Sequence, residues 1–509
     1  MTRLVRILVL AVIVFTSIIV SVLADPASTN KIIVRLSGMP SKRANAPREI
    51  ASYRIHERFQ QLYPEIQFEG TTPLVIQGDT QDVAPLMAIA GGTSPDIITV
   101  NFRQSDTYIS QGFLYPLDEY IVQMTPEERD DRIPGPVRPV VNRNGPGGKH
   151  CWMLPTPVGA KVLMYRRDLF AAAGLDPDRP PKDWEELREY ARKVADPSRG
   201  IYGLGFYSGI HASWSMYTYL VSAGAQAMIQ LPNGDWRASF DTDEAVTAFE
   251  FVDELLKEQV TKNGKTGPMA YRGADFGNKW TDGKVGLMFN TLQGKELGDI
   301  NPQLVGFASV PTGPTGLASS EVNCAMQAIF AGQKDKRVRD AAWKYIWFSD
   351  GPEARKIYVE TMVEQGSART LRPKLLRQFG FNELADLAPP GLEEAYERAL
   401  AKGTPEPYGK NCQFVYKYMT QPMEEIYYFD FKGMSPEQKR AKIKEFLAKS
   451  VKEANEHMIG IIPEPERKKR NYIAWIVAVV VIVAFGALVR QVFKWMSEEI
   501  GRASCRERV

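Results

Sequence analysis

Cysteine and histidine are scarce in this 509-residue chain, with four of each. Cys505 lies in the last nine residues. Cys151, Cys324 and Cys412 allow at most one bridge and leave one thiol over, which excludes a disulfide scaffold. No pair has CxxC spacing and His56, His150, His211 and His457 are scattered, so no His/Cys metal site is expected. An excess of one charge is also missing. Lys and Arg number 63 against 60 Asp and Glu, a net +3, and no nucleic-acid-binding field follows. Repeats and low-complexity tracts are absent. With 34 Pro and 40 Gly spread along the chain, the composition is that of a globular protein with core enough for two or three domains.

Catalytic signatures fail on specifics. Gly264-Lys265-Thr266 resembles the end of a phosphate-binding loop, but Gln259 stands where Gly is required. Gly203-Leu204-Gly205 is followed by Ser208 where a dinucleotide fingerprint needs Gly. Neither HExxH nor GxSxG occurs. A glycosidase needs only two carboxylates, yet no acid pair stands out in a matching motif. The expectation is a non-enzyme that carries no metal and no cofactor.

Two long apolar runs are present. Arg3 and Arg6 precede an uncharged stretch from Ile7 to Leu23, followed by Ala24, which reads as an export signal over 1–24. The signal is either cut after Ala24 or kept as an anchor. The second run, Tyr472 to Val489, holds 18 residues without a charge. At 1.5 Å per residue it reaches roughly 27 Å, enough to cross a thin hydrocarbon core. Tyr472, Trp475 and Trp495 are placed like interfacial anchors. With the preceding domain outside the cell membrane, Arg467 to Arg470 face outward and only Arg490 and Lys494 lie just inside. That opposes the positive-inside rule, which long translocated domains weaken. The tail Gly501 to Val509 looks foreign: it can be encoded by a stretch resembling a sequencing adaptor. The expectation is that the natural frame is cut near Ile500, leaving 490–500 as the start of a cytoplasmic region.

Between these runs, strands such as Ile32 to Leu36 and Asp96 to Val100 alternate with amphipathic helices at about Pro47 to Tyr63 and Pro181 to Ala195. The alternation predicts an α/β fold with largely parallel sheets. After about Phe381 the chain turns helical, ending in Ser435 to His457. Residues 458–471, with Pro463 and Pro465, read as a linker to the membrane.

Three kinds of segment carry a family resemblance. From Met87 to Tyr120 the chain reads MAIAGGTSPDIITVNFRQSDTYISQGFLYPLDEY, a small-residue helix end, a Pro-Asp strand start and a Gly-led turn into Pro-Leu-Asp. From Lys149 to Ala195 it reads KHCWMLPTPVGAKVLMYRRDLFAAAGLDPDRPPKDWEELREYARKVA, with a Pro-led crossing strand and a Tyr-x-x-Asp-Leu-Phe helix. Weaker echoes are Asp282 to Phe289, Val310 to Pro314 and Ala341 to Phe348. Taken singly these are ordinary fold grammar: Pro95 fixes a strand entry, Asp118 can cap a helix and Gly174 can end one. In this order, over about residues 31–457, they resemble the extracellular solute-binding proteins of carbohydrate ABC importers, family 1.

The resemblance implies a two-lobed periplasmic-binding-protein fold of type II with three crossing segments, here followed by a C-terminal transmembrane helix. The crossings fall near Pro155 to Gly159, Ser320 to Ala325 and Leu371 to Lys374. Lobe 1 then comprises about 31–155 and 326–372, and lobe 2 about 160–320 and 373–457. A sugar offers hydroxyl pairs and apolar C–H faces, so its site needs aromatic plates beside bidentate polar groups. By position in the resemblance, ligand-binding candidates are Met39, Asp79, Asn101, Phe102 and Arg103 on lobe 1. Trp214, Tyr217, Asn290 and Thr291 face them from lobe 2, with Glu321 and Asn323 at the second crossing and Arg369 before the third. Trp152, Trp236 and Trp280 are expected as core or rim. Trp184, Trp343 and Trp347 are expected in helix packing.

The function implied is a membrane-tethered, extracytoplasmic binding component of an ABC importer, with a carbohydrate or polyol ligand and with permease and ATPase subunits as partners. Family relatives with small departures bind phosphodiesters, and Arg103 or Arg369 would serve an anion as well as a hydroxyl pair. The rival function is a sensory ectodomain that signals through Tyr472 to Val489.

Overall fold

The computed structural model describes residues 31–71, 84–209, 212–291, 296–297 and 300–506. The export signal expected at 1–24 and the candidate Asp79 lie outside the described residues. The chain forms two compact units that meet in sequence at Val451 and Lys452.

In the first unit two five-stranded sheets carry the architecture. One has the order Ile66–Thr71, Ile32–Ser37, Ile97–Val100, Met326–Ile329, Leu154–Pro155. Its first three strands are parallel, with Ile32 beside Ile66 and Leu36 beside Ile97. Met326–Ile329 runs against them, Met326 opposite Val100. The other sheet has the order Ala270–Arg272, Tyr202–Phe206, Val285–Asn290, Val162–Arg166, Val305–Ala308. Here Val162–Arg166 runs antiparallel to both neighbours. Both sheets are therefore mixed where alternation alone predicted largely parallel ones. In each, a strand next to a linking segment enters from the opposite end.

Local sequence accounts for the pieces. Val162–Arg166 is buried throughout, as its unbroken run Val-Leu-Met-Tyr requires of a strand covered on both faces. The helix Trp184–Val194 starts one turn later than the sequence pattern predicts, because Asp183 accepts the Glu186 N–H at 2.9 Å and so caps it. Its stripe of Trp184, Leu187, Tyr190, Ala191 and Val194 is buried. A Cβ on Gly203 would stand 1.9 Å from the Ala191 carbonyl oxygen, so only glycine lets this helix lie so close to the strand. Asp118 opens its short helix as a residue of the first turn and not as the cap; its carboxylate accepts instead from His150 Nδ1 at 2.8 Å.

A three-stranded sheet joins chain segments from both halves: Thr404–Pro405, Glu321–Asn323 and Gly159–Ala160, in that order. Glu321 pairs with Thr404 and Asn323 with Gly159. The segment Leu371 to Lys374 belongs to a satellite core of Val359, Met362, Leu371, Leu376 and Ala385. In the second unit the helix Glu464–Arg506 contains the apolar run. Among the described residues one helical run is long and apolar enough to cross a membrane, and Trp475, Val480, Ile482 and Phe485 on it are exposed.

Candidate functional site

Each strand of this small three-stranded sheet, two of them linking the five-stranded sheets, delivers one charged side chain to a common interior. Lys161 follows Gly159–Ala160, Glu321 opens the middle strand, and Glu406 follows Thr404–Pro405. The Lys161 N–H donates to the Glu321 carbonyl at 2.9 Å and the Glu406 N–H to the Val322 carbonyl at 2.8 Å, which fixes the three in register. Lys161 Nζ and Glu321 Oε2 then form an ion pair at 2.7 Å, with side chains 2% and 0% exposed. Burial pushes the Lys161 pKa down, while Glu321 and Glu406 oppose it.

Trp214, near the start of the helix Ala212–Ser222, docks on this pair. Its Nε1–H donates to Glu321 Oε1 at 2.9 Å, and Asn323 Nδ2 donates to the same oxygen at 2.8 Å. Lys161 Nζ donates to the Trp214 carbonyl at 2.5 Å and stands 4.2 Å from the indole centroid. The indole stays half-buried, with the Tyr207 ring 5.9 Å away.

Glu406 anchors the other side. Arg103 Nε lies 3.2 Å from Glu406 Oε1, and its guanidinium sits over the Tyr416 ring at 5.4 Å. The Tyr217 hydroxyl donates to the Pro405 carbonyl at 2.8 Å and so braces the same strand. Burial first, and the nearby Glu321 carboxylate second, push the Glu406 carboxyl up to about 7; Arg103, Tyr416 and Lys161 pull against them. Two cations and two carboxylates thus share one interior with three aromatic side chains. At its edge the half-buried Trp214, Arg103 and Asn323 offer an aromatic face for C–H stacking and polar groups for hydroxyl pairs.

Arg103, Trp214, Tyr217, Glu321 and Asn323 are therefore brought together. Asn101 is used as a helix cap: its side chain accepts the Gln104 N–H at 2.9 Å, and Gln104 Oε1 accepts the Asn101 N–H. Phe102 is not part of the group, because it is fully buried in the main core. Asn290 is buried and holds Glu296 Oε1 at 3.3 Å and the Thr291 N–H at 2.9 Å. Thr291 packs on the first linking strand, its Cγ2 3.0 Å from where a Cβ on Gly159 would lie. Arg369 sits in the turn Ala368–Thr370, beside the satellite core. Met39 lines a cavity of about 620 Å³ together with Gly38, Thr99, Pro155, Thr156 and Gln327, which abuts the first linking segment. Arg132 and Asp350 supply charge at its wall, paired at 3.3 Å.

Lys161, Glu406 and Tyr416 are members of the group that the sequence reading missed. Lys161 had a signal: it is the single charge in the run Val158 to Tyr165. Glu406, in Thr-Pro-Glu-Pro-Tyr, had none, since its partners lie far away in sequence. The core-or-rim tryptophans also have particular partners. Trp152 Nε1 donates to the Arg143 carbonyl at 2.8 Å and Trp280 Nε1 to the Glu296 carbonyl at 2.6 Å, while the Arg143 guanidinium lies 5.2 Å from the Trp236 ring.

Comparison with known proteins gives the following likenesses. A family model described as bacterial extracellular solute-binding protein matches residues 45–356. A protein of Brucella abortus named only as a binding protein is 26% identical over 345 residues, covering 62% of this chain and 78% of the relative. A maltotriose-binding protein of Pyrococcus abyssi is 22% identical over 325 residues, covering 61% and 62%. Among solved structures, an ABC transporter solute-binding protein of Thermotoga lettingae bound with alpha-D-tagatose superposes with a TM-score of 0.57. It is 18% identical and the match covers 83% of this chain and 100% of that one. The fold is thus the two-lobed α/β fold of periplasmic binding proteins, with a long apolar helix at the C-terminus.

Proposed function

The chain belongs to the bacterial extracellular solute-binding proteins, and from that premise we propose that it captures a sugar, oligosaccharide or related polyol between its lobes. It hands this ligand to an ABC permease and its ATPase while tethered to the cell membrane by the helix Glu464–Arg506. The observation that carries the reading is the half-buried Trp214 indole set beside Glu321, Asn323, Glu406 and Arg103 at the strands that link the two sheets. An aromatic plate flanked by carboxylate, amide and guanidinium groups matches the alternating apolar faces and hydroxyl pairs of a sugar ring. The names of the Pyrococcus and Thermotoga proteins, one for maltotriose and one with bound tagatose, support the same ligand class.

Tethering keeps the binding unit within a short linker's reach of a permease in the same membrane, raising its effective concentration there to about the millimolar range. The apolar residues exposed along the C-terminal helix support the tether.

The test is a thermal-shift panel on the full chain in detergent, covering mono- and oligosaccharides, sugar acids, polyols and glycerol phosphates. A ligand at roughly 100 times its Kd adds about 2.7 kcal/mol of stability, and at least one sugar or polyol is expected to raise Tm by that measure. A folded protein indifferent to every member of the panel contradicts the reading.

A further inference from the structure

We propose that Lys161 and Glu321 are positioning residues for Trp214, fixing its indole to the linking strands in the orientation that a ligand meets. The inference rests on the reading of Trp214 as a face of the ligand cleft. Trp214 stands near the start of its helix, where an indole has several staggered rotamers open to it. Two contacts remove that choice and a third ties the backbone beneath the ring. Glu321 Oε1 accepts from the ring N–H and the Lys161 ammonium covers one ring face at 4.2 Å, while Lys161 Nζ donates to the Trp214 carbonyl.

The pair is itself held. Asn323 Nδ2 donates to Glu321 Oε1, and the Lys161 N–H donates to the Glu321 carbonyl, while Val322 pairs with Ala160 and Asn323 with Gly159. Order therefore runs from two linking strands, through one ion pair, to the indole. Apolar residues of similar volume would serve stability as well as a buried ion pair does, so stability alone gives no reason for the pair. A specific ring orientation does, because a plate already ordered before the ligand arrives lowers the ordering cost of binding. Any rotation of the linking strands during closure would also carry the indole with it.

The experiment is ¹⁹F NMR on the full chain in nanodiscs, labelled with 5-fluorotryptophan at its nine tryptophans, with Trp214→Phe used to assign one resonance. The variants are Glu321→Ala and the double variant Lys161→Met/Glu321→Met, which leaves neither a lone buried charge nor an acceptor for the indole N–H. The wild-type Trp214 resonance is expected to be narrow. In both variants it is expected to broaden at least twofold or to split, with the other eight resonances in place. If Glu321→Ala unfolds and all nine collapse together, the double variant decides. A narrow, unshifted Trp214 resonance in the folded double variant overturns the proposal.

Maltotriose titrated into the same samples separates this inference from the reading beneath it. An at least tenfold rise in Kd in the double variant supports both. Trp214→Ala binding maltotriose like wild type, or a wild type that ignores maltotriose, counts against Trp214 as a ligand face and leaves the resonance result standing.

Discussion

Replacing Lys161 by Met keeps most of the side-chain volume and deletes one charge, which isolates the electrostatics of the linking strands. Glu321, 1% exposed, would then sit beside Trp214 and Asn323 with its counter-ion gone. Removing one partner of a buried pair costs about 3–5 kcal/mol, because the remaining charge stays out of water. At about 2–4 °C per kcal/mol for a lobe of this size, Tm should fall by roughly 10 °C. Adding Glu321→Gln removes the stranded charge and retains an acceptor for Trp214 Nε1–H and Asn323. The double variant should lose only about 1–2 kcal/mol, chiefly for the Trp214 carbonyl that loses its donor. Differential scanning fluorimetry of wild type, single and double variants in one buffer reads the effect. A single variant within 2 °C of wild type, or a double variant as unstable as the single, would refute the reasoning.

Three further outcomes follow. Glu406 holds its proton to about pH 7 in the folded chain, against an ordinary value of 4.5, so its contribution to stability is full below pH 4.5 and lost as pH rises through 7. Tm of wild type should therefore decline relative to Glu406→Gln across that window and run parallel to it above; parallel curves throughout would refute the assignment. Gly203→Ala should destabilise by about 1–3 kcal/mol or more in urea titration, since its Cβ would meet the Ala191 carbonyl oxygen at 1.9 Å; an unchanged midpoint would contradict the close packing. With residues 1–24 removed from both, nearly all of a chain that keeps Glu464–Arg506 should remain with added membranes after alkaline carbonate washing, whereas a chain ending before Glu464 should be released; release of the longer chain would remove the tether.

What the sequence made legible was local or ordered along the chain. The existence of the helix Trp184–Val194, though not its first turn, the strand Ile97–Val100 and the serial order of the family motifs all have signatures within a few residues. The same local grammar also contained the answer for Asn101: Asn-x-x-Gln at 101–104 is a capping box, and that use competes with contact to a ligand. Phe102 belongs to the apolar face of the helix it opens, hence its place in the core. The charged group at the linking strands was less visible, because it is assembled from residues far apart. Lys161 and Glu321 are separated by 160 positions, and Glu406 meets Arg103 across about 300. No periodicity links such residues, and the strand Thr404–Pro405 that places Glu406 is only two residues long. A lone lysine in an apolar run was the single hint available, and it marks a buried partner without naming it.

The central claim is that ligand binds at the linking strands against Trp214. A crystal structure of the chain with the sugar or polyol that gives the largest thermal shift tests it most directly. The account predicts a ring stacked on the face of the Trp214 indole turned away from Lys161, with hydroxyls bonded to at least one of Asn323, Glu406 and Arg103. Ligand density elsewhere, with these side chains unchanged from the arrangement described above, would contradict it.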